Sequence, residues 1–184
     1  MKSKLDIIIG PMFSGKSYEL IRRIRLINVL NKKYLVLKPL IDNRYSSENF
    51  ICTHNFDKES CLPVKNLYDC INDNMDYNTI FIDEAQFFPD LKLFVLEMLE
   101  KNGINIVLTG LDGDFERKPF GDILYLIPYS NSCVKKTALC KLCNDGTPGI
   151  FSHRIVKNSK SQILVGSTES YIPVCRCHYL ELNE

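Results

Sequence analysis

A parallel α/β sheet flanked by helices is the architecture this chain predicts, and three observations predict it. Apolar runs alternate with segments of helical periodicity along the first 138 residues. The first run, Leu5 to Ile9, passes directly into Gly10-Pro11-Met12-Phe13-Ser14-Gly15-Lys16-Ser17, which fits G-x-x-x-x-G-K-[ST]. After about residue 138 the helical periodicity disappears, and short strand-like pieces and turns such as Asn144-Asp145-Gly146 take over. The chain therefore reads as a phosphate-binding α/β domain over 1–138, followed by a small β-rich unit over 139–184 organised by metal.

The elements follow in order. Residues 5–9 form a buried strand. Residues 16–31 form a helix with Leu20, Ile24 and Ile27 on one stripe. Tyr34 to Lys38 is a second strand, ended by Pro39. Residues 40–61 are polar and irregular, which predicts a mobile loop. A short helix near 66–74 leads into a strand from Thr79 to Asp83. Pro89 suits the first turn of another helix, in which Leu91, Phe94, Val95 and Met98 recur with helical spacing. Gly103 suits its stop, and Ile104 to Thr109 is a further strand.

Composition bounds the class. Of 184 residues, 45% are hydrophobic and 24% charged, as in an ordinary globular chain. No apolar stretch nears the roughly 20 residues that a spanning helix needs. Lys2 and Lys4 before an apolar run resemble a secretion signal, but Asp6 interrupts it and no small-residue cleavage site follows. A cytoplasmic location is expected. The net charge of +1 gives no global attraction to nucleic acid or membrane. Locally the balance differs: residues 1–44 carry ten Lys/Arg against three Asp/Glu, so the phosphate loop lies in the basic part. Arg22, Arg23 and Arg25 are read as the solvated face of a helix.

A strand, a glycine loop and a helix N-terminus in that order make an anion cradle. Backbone N–H groups point at phosphate oxygens, and the helix end adds partial positive charge. Gly10 to Ser17 would hold the phosphates of ATP, with Lys16 at the β- and γ-phosphates and the Ser17 hydroxyl on Mg²⁺. Asp83 ends an apolar strand, where such a site places its second Mg²⁺ contact, through a coordinated water. Glu84 lies one residue on, where the chain leaves the sheet. It could take a proton from an attacking hydroxyl; a helix-start carboxylate or second metal contact is the other reading. Arg44 is one candidate among several for an additional cation at the transferring group.

Of eight cysteines, Cys52, Cys61, Cys70 and Cys133 stand alone. Cys140 and Cys143 form one C-x-x-C knuckle. Cys175-Arg176-Cys177-His178 offers three possible ligands for a second. Cys175 with His178 repeats the spacing of the first knuckle, whereas Cys177 gives a tighter C-x-C. Structural zinc on Cys140, Cys143, Cys175 and His178 is the expectation, with Cys177 leaving the fourth position open.

The segments Gly10 to Ser17, Asp42-Asn43-Arg44-Tyr45 with Cys52-Thr53-His54, and Asp83 to Phe88 resemble the type II thymidine kinases. So do Leu111 to Gly121, the knuckle at Cys140 and the closing Tyr171 to Arg176. The ordered set runs over nearly the whole chain. The resemblance implies transfer of the γ-phosphate of ATP to the 5′-hydroxyl of thymidine, and of deoxyuridine, in nucleotide salvage for DNA synthesis. It implies Glu84 as general base, Arg44 at the transferring phosphate and Asp83 for Mg²⁺. Phe87, Phe115 and Phe120 would line the base pocket with Met12, Leu111 and Tyr171, and Gln86 would lie near sugar and base. A late loop, around Ile163, Val165 and Gly166, would close over the base from the 139–184 unit. The resemblance also implies a homotetramer inhibited by dTTP.

The residues agree with that class of acceptor. A neutral nucleoside needs aromatic faces and apolar walls, and Phe87, Phe88, Phe115, Phe120 and Tyr171 can supply them; plain core packing is the alternative for each. Two other functions compete. One is a nucleotide-dependent switch or ATPase whose zinc ribbon, with Lys135, Lys136, Lys141, Arg154, Lys157 and Lys160, contacts nucleic acid, although little aromatic interleaving accompanies these residues. The other is a nucleoside monophosphate kinase, which needs more cations than Arg117 and Lys118 to hold an acceptor phosphate. Neither a nucleic-acid partner nor a membrane is expected.

Overall fold

The computed structural model describes residues 3–42, 49–52, 58–71, 76–156, 161–163 and 169–183. The strand β1 (Leu5–Ile9) runs through the phosphate loop into helix α1 (Lys16–Val29) and returns as β2 (Tyr34–Pro39). A hairpin of β3 (Phe50–Cys52) and β4 (Lys58–Ser60) precedes β5 (Leu62–Val64). Then come β6 (Thr79–Ile82), α2 (Leu91–Glu100), β7 (Asn105–Gly110) and β8 (Ser132–Lys135). The six-stranded sheet has the order β5-β2-β6-β7-β1-β8, and every pairing in it is parallel.

Parallel strands covered on both faces need apolar side chains on both sides, and β1 shows why its sequence suits this. Ile7 and Ile9 point into a core shared with Leu91, Phe94, Val95 and Met98 of α2. Ile8 points to the opposite face, against Leu20, Ile21 and Ile24 of α1 and Phe81 of β6. The register puts Ile9 beside Gly110 and Ile82 beside Leu108. The carboxyl ends of β1, β7 and β6 thus lie side by side, with about 10 Å between the outer two.

Several expectations are corrected. Residues 40–61 are not merely irregular, because the paired strands β3 and β4 are built there, and the edge strand β5 follows directly. Ile51 is 2% exposed in the α1-side core, and the buried Lys38 donates from Nζ to the Phe50 carbonyl at 2.9 Å. One apolar anchor in a polar stretch is too little periodicity to read. The helix near 66–74 is a 3₁₀ turn, Leu67–Cys70, closed by a reciprocal capping box between Asn66 and Asp69. Pro89 lies outside α2, one residue before the N-cap Asp90. Helix α1 stops at Val29, and strand β2 includes Pro39.

The remaining strands are short: β9 (Ala138–Leu139), β10 (Pro148–Gly149), β11 (Phe151–Arg154) and β12 (Tyr171–Val174), paired as two antiparallel ribbons. A six-residue helix, α3 (Arg176–Glu181), follows, too brief to leave a periodic pattern. Cys140, Val174, Cys175 and Tyr179 make a separate small core. Among the described residues, hydrogen bonds that tie this region to the sheet domain include one from Gln162 Nε2 to Asp114 Oδ2 at 2.7 Å and two more. The Met12 amide donates to Ser152 Oγ at 2.9 Å, and the Tyr179 hydroxyl donates to the Phe115 carbonyl at 2.8 Å.

Candidate active site

The phosphate loop is held in shape by residues that no larger side chain could replace. Gly10 has φ +148°, and a Cβ there would lie 2.3 Å from the Lys136 carbonyl oxygen. Gly15, with φ +75°, is the N-cap of α1, so the loop amides open onto the helix N-terminus. Ser14 Oγ and Lys16 Nζ both donate to the Pro11 carbonyl at 2.8 Å, which lays the buried lysine back across the loop. Such a lysine can exchange that carbonyl for a phosphate oxygen without leaving the cradle.

Asp83 emerges from β6 opposite the loop. Its Oδ1 accepts from the Ser17 hydroxyl at 3.3 Å, from the Glu84 amide at 3.1 Å and from the Thr109 hydroxyl. Burial pushes its carboxyl up to about 6, and the neighbouring charge of Glu84 adds to the rise. A divalent cation in front of Ser17 and Asp83 would reverse that balance, because its charge favours the carboxylate. Ser17 and Asp83 are the two groups here that fit Mg²⁺. Thr109, in the strand between, is a partner the sequence alone did not single out.

Glu84 occupies the left-handed region (φ +49°, ψ +43°) at the exit from β6. For a non-glycine residue this costs on the order of 1–3 kcal/mol, and it persists only where neighbours over-determine it. Gln86 does so here. Its Nε2 donates to Glu84 Oε2 at 2.7 Å, while its Oε1 accepts from the Leu111 amide at 3.0 Å. The space around that amide is tight: a Cβ at Gly110 would lie 2.6 Å from Gln86 Oε1, and one at Gly121 would lie 2.3 Å from the Gln86 carbonyl. Two glycines therefore let Gln86 clamp the Glu84 carboxylate.

Beside Glu84 opens a cleft of about 500 Å³, its mouth included. Of the residues picked from sequence, Met12, Phe87, Leu111, Phe115, Phe120, Ile163 and Tyr171 line it together with Glu84. Phe87 and Phe120 meet edge to face, with centroids 5.4 Å apart. Gln86 is buried behind this wall rather than lining it. Phe88 belongs to the α2-side core, so the core-packing alternative holds for that ring. Asp42, Gly113 and Asp114, which stand in the resembling segments without an assigned role, also line the cleft, as do Ser152 and Gln162, which carried no sequence signal. Arg44, Val165 and Gly166, with Thr53 and His54, lie outside the described residues.

The fourth position of the metal cluster is decided by geometry. The donor atoms of Cys140, Cys143, Cys175 and His178 all lie within 4.8 Å of one another. Cys143 Sγ is 3.8 Å from Cys175 Sγ, and His178 Nδ1 is 3.5, 3.4 and 3.3 Å from the sulfurs of Cys140, Cys143 and Cys175. Tetrahedral zinc, with bonds of about 2.3 Å to sulfur and 2.0 Å to nitrogen, would separate its ligands by about 3.8 Å and 3.5 Å. The cluster fits that cage. Cys177 is turned away, with its thiol donating to Glu181 Oε1 at 3.1 Å.

An amide-lined loop, a carboxylate pair facing it and an aromatic cleft alongside define a phosphate-loop phosphotransferase with an uncharged acceptor. The chain belongs to the thymidine kinase family, whose model matches residues 3–179. It is 40% identical over 185 residues to thymidine kinase 1 of Dictyostelium discoideum, a match covering 98% of this chain and 80% of the relative. It is 38% identical over 180 residues to the human cytosolic thymidine kinase, covering 98% and 74% of the two chains. With the vaccinia virus thymidine kinase it shares 40% identity over 177 residues, covering 96% and 97%.

Proposed function

We propose that this chain transfers the γ-phosphoryl group of ATP to the 5′-hydroxyl of thymidine, and of deoxyuridine, giving the 5′-monophosphate and ADP. The observation that carries the reading is the convergence of the phosphate loop, the Asp83–Glu84 pair and the aromatic cleft on one edge of the sheet. Lys16 and the loop amides would hold the phosphates. Ser17 and Asp83 would hold Mg²⁺, whose charge would offset that of the phosphates. Glu84, clamped by Gln86, would accept the hydroxyl proton as the new P–O bond forms. Phosphoryl transfer is loose, so positioning contributes more than base strength. Arg44 would supply a further cation.

Phe87, Phe115, Phe120, Met12, Leu111 and Tyr171 would sandwich the pyrimidine, with Ile163, Val165 and Gly166 over it as a closing segment of the 139–184 unit. Zinc on Cys140, Cys143, Cys175 and His178 would be structural, since four protein ligands leave no position for water. A homotetramer, inhibition by dTTP and a cytoplasmic location complete the reading, on the strength of the family alone.

The nucleic-acid alternative is not favoured. Of the cations it would need, Arg154 is buried and Lys135 Nζ is paired with Asp112 Oδ2 at 2.5 Å, so both are engaged within the protein. A monophosphate acceptor finds no anion site from Lys118, whose Nζ is 2.6 Å from Glu116. The test is a panel of nucleosides and nucleoside monophosphates with ATP and Mg²⁺, each product identified by mass. Thymidine and deoxyuridine should give monophosphates; diphosphate from dTMP alone would refute the reading.

A further inference from the structure

Three separate stretches of the cleft wall meet on one guanidinium. Arg154, the last residue of β11, is 7% exposed. Its Nε and Nη2 donate to the Tyr171 hydroxyl at 3.1 and 2.7 Å. Its Nη1 donates to the Ser161 carbonyl at 2.6 Å, and Nη2 also to the Gln162 carbonyl at 3.0 Å. The plane of the group lies against Phe115, with Cζ 3.8 Å from the ring centroid.

The same wall is tied from its far side. Gln162 Nε2 donates to Asp114 Oδ2 at 2.7 Å, and Asp114 Oδ1 accepts the Glu116 and Lys118 amides at 2.9 Å each. The Phe115 carbonyl accepts from Tyr179 of α3. Phe115, Gln162 and Tyr171 all line the cleft, and Arg154 touches each of them without lining it.

We infer that Arg154 is a positioning residue for the acceptor: it sets the gap between the Phe115 face and the Gln162–Ile163 segment into which a planar, uncharged ring slides. The inference rests on the reading of the cleft as the nucleoside site. The chemistry calls for arginine specifically. A guanidinium has five donors in one plane and a face that stacks on a ring, so it can serve two carbonyls and a hydroxyl while packing on Phe115. An ammonium is a point charge that satisfies only part of this set. Arg154 holds Phe115, Gln162 and Tyr171 of the cleft wall, so its loss should weaken acceptor binding and spare the chemical step.

The experiment compares wild type with Arg154→Lys and Arg154→Met, measuring thymidine and ATP kinetics, thymidine binding by calorimetry, and melting temperature. Both variants should raise the thymidine KM at least about tenfold, with kcat at saturation and the ATP KM held within about threefold. Calorimetry should show the same loss of thymidine affinity. A double-mutant cycle of Arg154→Lys with Phe115→Leu should be non-additive, since both would act on one wall. Unchanged thymidine KM in a folded variant overturns the inference. So does a fall in kcat alone, or an equal rise in the ATP KM. Failure of both variants to fold makes Arg154 a structural residue and overturns it as well. A wild type that forms no thymidine monophosphate refutes the activity itself, which is a distinct outcome.

Discussion

Glu84→Gln isolates the proposed base from everything around it. The substitution keeps the length and shape of the side chain and removes its charge. Gln86 Nε2 now donates to Glu84 Oε2, and an amide oxygen at that place can accept the same bond, so the clamp and the left-handed turn survive. The Asp83 contacts with Ser17 and Thr109 do not involve the Glu84 side chain. ATP and Mg²⁺ affinity should therefore hold. What disappears is the acceptor for the hydroxyl proton. Proton transfer by a positioned group contributes about 10²–10⁴ in rate, which is about 3–5 kcal/mol of transition-state stabilisation. The variant should lose kcat by that factor, with thymidine and ATP binding by calorimetry unchanged. Folded stability at neutral pH should hold or rise, because one of two adjacent buried carboxylates is gone. A variant with kcat within threefold of wild type, or one that binds ATP poorly, refutes the assignment.

Asp83 makes a pH prediction for the protein without nucleotide or metal. Its carboxyl sits at about 6 when folded against an ordinary 3.8, so folding takes up a proton between those values. Stability from this group is full at the acid end, declines as pH rises from about 4 to 6, and is flat above. Urea midpoints across that range should fall in wild type relative to Asp83→Asn; parallel curves would refute the burial argument. The metal cluster makes another. Chelation under reducing conditions, or Cys143→Ser, should lower the melting temperature and release one zinc per chain, counted with a thiol-compatible chromophore. Cys177→Ser should keep full zinc content, and loss of the metal there would return Cys177 to the ligand set.

Much of the active edge was local in sequence. A loop that must present successive amides favours glycine where φ is positive, as at Gly10 and Gly15, so Gly10 to Ser17 announces much of its conformation, although Phe13 also has φ +65°. Asp83 and Glu84 were legible because the strand-like run Thr79 to Ile82 precedes them and places them at a strand's end. The two knuckles were legible by spacing. All these rest on the chain's neighbours in sequence, which any window can see.

Tertiary structure alone decided the rest. Thr109 binds Asp83 only because parallel pairing sets β7 beside β6, a relation between residues 26 apart. Gln86 clamps Glu84 only because Gly110 and Gly121 leave it room. His178 rather than Cys177 joins the three sulfurs because adjacent positions on α3 project in different directions, one at the sulfurs and the other at Glu181. Phe87 and Phe88 are adjacent and chemically alike, yet one faces the cleft and the other the core. A side chain's environment is set by what other segments bring to it. Residue type determines which contacts are possible, and packing across the chain determines which are made.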